Sequence, residues 1–145
     1  MSLRWPHLDL TTFASFLQAT HLEDALGQDI SSSPLWSASL LDSQEGSKAI
    51  VQTHLHFLVA GADVISTSSY QASALAFRLA GKSAEKAEQL LVKSVRLAQQ
   101  AREDFSLLGS QGKDRKPLLL LSLGPYGAAL SNGSECENKR SKRWK

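Results

Sequence analysis

Six residues, Leu118-Leu119-Leu120-Leu121-Ser122-Leu123, stand between Pro117 and Gly124, and nothing else in the chain restricts the fold as much. The run is too short for a stable helix, and its unbroken apolar character is that of a strand buried on both faces of a parallel sheet. A parallel strand needs a crossover helix before it. Ser83 is placed to cap such a helix, with Glu85 in its first turn. Ala84, Ala87, Leu91, Val95, Ala98, Ala101 and Phe105 then recur every three or four residues as one apolar stripe. Lys86, Lys93, Gln100 and Glu103 lie off the stripe and are expected in water. Residues 108–116, rich in Gly, Ser and charge, form the loop into the leucine run.

The same step is written upstream. Over residues 43–60, Ala49, Ile50, Thr53, Phe57 and Ala60 fall at helical spacing, and Gly61 stands where a glycine ends a helix. Val64 and Ile65 make residues 63–67 a short strand. A first strand is expected within residues 8–17, around Thr11-Thr12-Phe13; the first 33 residues otherwise show weak periodicity. This order gives an α/β chain of three strands and two helices, short of the eight strands and roughly 250 residues of a closed barrel.

Charge and cysteine usage narrow the function. The longest aliphatic run, residues 118–121, is far below the roughly 20 residues of a membrane helix, and the start has no signal-peptide core, so a cytosolic location is expected. Residues 137–145 hold five of the 16 basic residues against one acid, leaving a body of −2 with a tail of +4. Such a tail could bind nucleic acid weakly, but the body carries no recognition motif, so residues 136–145 are expected to be a solvated, disordered end. Cys136, the single cysteine, permits neither an internal disulfide nor a multi-cysteine zinc site, and has no histidine near it in sequence to make it a nucleophile. His54 and His56 are about 200° apart on a helix and are not expected to share a metal. Asn132-Gly133-Ser134 matches a glycosylation sequon without a signal peptide to make it usable. Neither a P-loop nor a dinucleotide glycine fingerprint is present.

Ligands of parallel α/β folds gather at the carboxyl ends of strands. Those ends read Thr67-Ser68-Ser69-Tyr70-Gln71-Ala72-Ser73 and Ser122-Leu123-Gly124-Pro125-Tyr126-Gly127-Ala128. Glycines admit close backbone approach, hydroxyls offer donors and acceptors, and tyrosine covers an apolar part, as a pocket for a small polar ligand requires. The same composition also suits ordinary strand-to-helix turns.

Pro34-Leu35-Trp36-Ser37-Ala38, then His54 with Ala60-Gly61-Ala62-Asp63, then the two strand ends, resemble in order and spacing the homocysteine S-methyltransferase family. Ser94-Val95-Arg96-Leu97-Ala98 and Gly133-Ser134-Glu135 extend the resemblance over residues 19–135. It implies a (β/α)8 TIM-type barrel, of which this chain would be about the first three βα units. It also implies methyl transfer from a sulfonium co-substrate, S-adenosylmethionine or S-methylmethionine, to homocysteine. By the same resemblance Thr67, Ser68, Tyr70, Gln71, Gly124 and Tyr126 line the substrate mouth; no residue is assigned a catalytic or metal-binding role.

The family's zinc, held by three cysteines, keeps the homocysteine sulfur as a thiolate. It is not expected to bind this chain, whose single cysteine does not suffice. Ser15-Phe16-Leu17 stands where the family carries an Asp-Gly-Gly turn, and the basic tail begins where an acidic stretch is usual. Residues 1–135 thus read as the amino-terminal part of such a domain, inactive alone. Its open sheet edges would favour self-association or pairing with a full-length relative.

Overall fold

The computed structural model describes residues 14–30, 32–109 and 115–129, with the backbone alone for 14–19, 126 and 129. Helix α1 (Ala14–Leu26) is followed by a 3-10 helix (Trp36–Asp42). Serine hydroxyls start the next three helices. Ser43 accepts from the Gly46 amide at 2.9 Å and opens α2 (Gln44–Val59). Ser73 accepts from the Ala76 amide at 3.0 Å and opens α3 (Ala74–Leu79); Ser83 accepts from the Lys86 amide at 3.2 Å and opens α4 (Ala84–Ser106). Each satisfies an N–H that the first turn leaves without a partner. Glu85 sits in that turn of α4 as expected, its carboxyl held below the usual range by its own backbone amide and then by the Ser83 hydroxyl. Gly61, with φ of 110°, ends α2 in a backbone conformation that a side chain would strain.

Strands β1 (Val64–Ser66) and β2 (Leu118–Leu120) pair in parallel, with Ile65 opposite Leu119. α3 and α4 make the crossover between them, and a short α5 (Tyr126–Ala129) follows. Ile65, 1% exposed, and Leu119 face Leu58 of α2 and Ala98 and Phe105 of α4. A larger cluster containing Leu22, Leu41, Ile50, Phe77 and Leu90 binds α1, the 3-10 helix and α2 to α3 and α4. Among the described residues no helix is long and apolar enough to cross a membrane.

Four expectations change. The strand foreseen within residues 8–17 is not one where it can be seen: residues 14–17 belong to α1, and 8–13 lie outside the described residues. α1 holds three Leu and three Ala against one β-branched residue, Thr20, and helix propensity prevails. Among the described residues the leucine run is not buried on both faces: β2 is three residues long, Leu118 and Leu120 are 51% and 47% exposed, and only its other face is covered by helices. The buried face of α4 is Ala87, Leu90, Ser94, Leu97, Ala98, Ala101 and Phe105, with Ala84 exposed and Leu91 and Val95 half-buried. The helix packs against α2, the 3-10 helix and α3, so its covered face is turned from the simple stripe. For that reason Lys86 and Lys93 are not free in water. Lys86 pairs with Asp42 at 2.7 Å, beside Lys82, and Lys93 donates to the Leu41 carbonyl at 2.7 Å, fastening the end of the 3-10 helix.

The described residues thus hold two strands, a partial α/β arrangement, where three βα units were expected. α3 has no counterpart in the sequence reading. The sequon, Cys136 and residues 136–145 lie outside the described residues.

Candidate functional site

Because β1 and β2 are parallel, their carboxyl ends emerge at the same end of the sheet. The Thr67 amide extends the ladder by donating to the Leu120 carbonyl at 2.9 Å. Beyond it the backbones are stitched by side chains. Thr67 Oγ1 accepts from the Ser122 amide at 3.0 Å and lies 2.6 Å from Ser69 Oγ, which donates to the Ser122 carbonyl at 2.8 Å. With Ser69 committed to that carbonyl, the Thr67 proton goes to Ser69, so both hydroxyls are used in joining the loops. Thr67, Ser68 and Ser69 are each no more than 2% exposed.

Of the six residues expected at the mouth, the structure brings Tyr70 and Gly124 into direct apposition. A Cβ at Gly124 would run into the Tyr70 carbonyl, so glycine there is a condition of the approach. Tyr70 is 37% exposed, whereas neighbouring Gln71 is 7% exposed, with Oε1 buried and without a hydrogen-bond partner among the described residues. An amide oxygen in that state is an acceptor whose donor does not come from the described residues. Thr67 fastens the loops rather than presenting its hydroxyl, and Ser68 is buried. Tyr126 opens α5, with its side chain outside the described residues. Sequence reasoning assigned no role to Ser69 and Ser122. Their signal is a hydroxyl placed just past each strand, but the pairing, 53 residues apart, has no local signature. Trp36, at φ of 46°, holds a backbone conformation uncommon for a bulky residue and foreseen by nothing in its neighbourhood.

His54 lies in α2 at 1% exposure, its Nε2 without a partner among the described residues, and burial pushes its pKa down to about 4. It is a neutral imidazole at pH 7. His56, two positions on, points elsewhere, toward His21 of α1. Among the described residues no three His, Cys, Asp or Glu side chains are grouped to hold a metal. The zinc that the resemblance implies needs three thiolates, and the described residues, which contain no cysteine, do not fit it.

Comparison with known proteins accords with this architecture. A family model described as homocysteine S-methyltransferase matches residues 18–144, a span that takes in most of the basic tail. A betaine-homocysteine S-methyltransferase of Drosophila melanogaster is 39% identical over 119 residues, covering 81% of this chain and 35% of its own length. Homocysteine S-methyltransferase 1 of Zea mays is 45% identical over 120 residues, covering 81% and 36%. The chain thus spans about a third of the length of these curated relatives. Among solved structures, the metallated homocysteine methyltransferase MmuM of Escherichia coli superposes with a TM-score of 0.70 at 34% identity, over 87% of this chain and 42% of that one.

Proposed function

Since this chain belongs to the homocysteine S-methyltransferase family, we propose that its strand-end loops form one wall of the site where homocysteine and a methyl donor meet in a (β/α)8 barrel. The observation that carries this reading is the pair of loops held by Thr67, Ser69 and Ser122, with Gly124 against Tyr70 and the Gln71 amide oxygen left unmatched. Gln71 Oε1 accepts from a substrate ammonium, and the Tyr70 ring covers an apolar segment. The loops align the thiol with the donor's methyl group, and a sulfonium, already an activated leaving group, asks little beyond alignment. The Drosophila relative is named for betaine, an ammonium donor, so the donor is to be decided by assay.

In this reading the 145-residue chain contributes substrate contacts in the cytosol and does not turn over alone. Homocysteine added to isotope-labelled protein is expected to shift the amide resonances of Thr67, Gln71 and Gly124, with no methionine formed from S-methylmethionine, S-adenosylmethionine or betaine. Unmoved resonances at saturating homocysteine would refute the binding role, and methionine formation would refute the inactivity.

One observation favours a second role. Leu118, Leu120, Leu121 and Leu123 are all about half exposed or more, a surface suited to pairing with a full-length relative. Failure of the two to co-purify under mild conditions would remove it.

A further inference from the structure

On the outer side of the helical layer, His21 of α1 and His56 in the last turn of α2 lie ring to ring, with centroids 5.3 Å apart and planes inclined by 59°. His21 Nε2 is 3.4 Å from His56 Nδ1. Two nitrogens bound to one tetrahedral zinc, at roughly 2.0–2.1 Å each, are themselves about 3.3–3.4 Å apart. The second nitrogen of His21, Nδ1, lies 3.2 Å from Thr53 Oγ1, a hydroxyl whose residue is 1% exposed. The tautomer in which Nδ1 donates to Thr53 leaves Nε2 as the lone-pair nitrogen facing His56. A hydrogen bond from the far ring nitrogen to a fixed oxygen is the support that orients metal-binding histidines and raises their basicity. Phe57, 5.9 Å from the His21 ring, backs it on the apolar side.

We propose that His21 Nε2 and His56 Nδ1 form a two-imidazole site for a late first-row divalent ion, Zn2+ foremost, with water completing the coordination and Thr53 as the positioning residue. Small rotations of both rings, His56 exposed and His21 half-buried, turn the two lone pairs from each other to a shared point. Imidazole suits Zn2+, Cu2+ and Ni2+ and disfavours Mg2+ and Ca2+. The site is unlike the family's thiolate zinc in its donors, and it lies at the opposite end of β1 from Thr67 and Gln71, because α2 enters β1 through Gly61 and Asp63 at the strand's start. It clips α1 to α2 across a sequence separation of 35 residues. Sequence reasoning dismissed His56 as a ligand by pairing it with His54 on the same helix; the partner comes from the helix before.

The experiment titrates Zn2+ alone into the full chain, with competition by a chromophoric chelator and thermal melting as parallel readouts. One Zn2+ per chain is expected, with a rise in Tm. His56→Gln, which replaces an exposed ring, and His21→Gln each weaken binding at least tenfold; Thr53→Val, nearly isosteric, weakens it about tenfold through His21. His7→Gln and Cys136→Ser leave it unchanged. Circular dichroism separates lost binding from lost fold, and His56→Gln decides the matter where His21→Gln loosens α1. The proposal is overturned by no saturable Zn2+ binding, by binding that survives His56→Gln, or by binding that vanishes with Cys136→Ser. None of these outcomes bears on homocysteine at the other end of the sheet.

Discussion

A neutral imidazole at His54 ties stability to pH. Its pKa falls from 6.5 in the unfolded chain to about 4 in the fold because burial penalises the charged form. Between those values the unfolded chain binds the extra proton, so stability is complete above about 6.5 and declines as pH drops toward 4, by at most about 3 kcal/mol. Denaturant unfolding at several pH values should show that decline, and His54→Leu should flatten it; equal slopes in the two proteins would mean other groups carry the effect. At Gly124 the constraint is steric. Gly124→Ala sets a methyl against the Tyr70 carbonyl and is expected to cost about 1–3 kcal/mol, seen as a lower denaturation midpoint with changed amide resonances near Tyr70. Both strand-end motifs were legible in the sequence as runs of small and hydroxyl-bearing residues. The division of labour between them was not: Thr67 and Ser69 are spent on Ser122, and only the three-dimensional pairing reveals that Gln71 Oε1 is without a partner among the described residues.

At the scale of elements, Arg115 shows how a loop residue can hold a helix to a strand. Its guanidinium donates to the carbonyls of Leu58, Gly61 and Ala62, pairs with Asp63 at 2.8 Å, and lies 5.3 Å over the Phe105 ring. It thereby closes the carbonyls at the end of α2 and fixes the start of β1 beside the chain entering β2. Lysine cannot reproduce a planar fork with five donors, so Arg115→Lys is expected to lower stability by about 2 kcal/mol, measured by urea unfolding; a change within error would mean water replaces the fork. The elements themselves were readable in proportion to their length and punctuation. α2 and α4 carry serine caps and long periodic stripes, whereas α3 spans six residues and its cap, Ser73, was absorbed into the strand-end motif. The first-strand reading rested on Thr11-Thr12-Phe13, which lie outside the described residues; its last four positions, 14–17, belong to α1. A run of leucines offers no alternation, so one-sided burial of β2 could not be inferred from it.

For the molecule as a whole, the two strands are covered on one face only among the described residues. Ile65 and Leu119 are packed under α2 and α4, while Leu118 and Leu120 point to the other face and Leu121 and Leu123 continue the exposed apolar surface. Large apolar side chains beside unpaired strand edges attract another chain, by edge pairing or face-to-face burial. The gain from covering such side chains is about 25 cal/mol per Å2 of apolar surface removed from water, and no charged residue stands within residues 117–130 to oppose the approach. The chain alone is therefore expected to self-associate as concentration rises, seen as an increasing weight-average mass in sedimentation or light scattering. A double substitution, Leu118→Lys with Leu120→Lys, places charges on the open face and spares Leu119, so it should shift the chain toward monomer while the circular dichroism keeps its helical signal. A wild-type chain that stays monomeric at every concentration would show that residues outside those described already cover this face. If both proteins associate alike, the contact lies elsewhere on the helices, and the open strand face is not what brings the copies together.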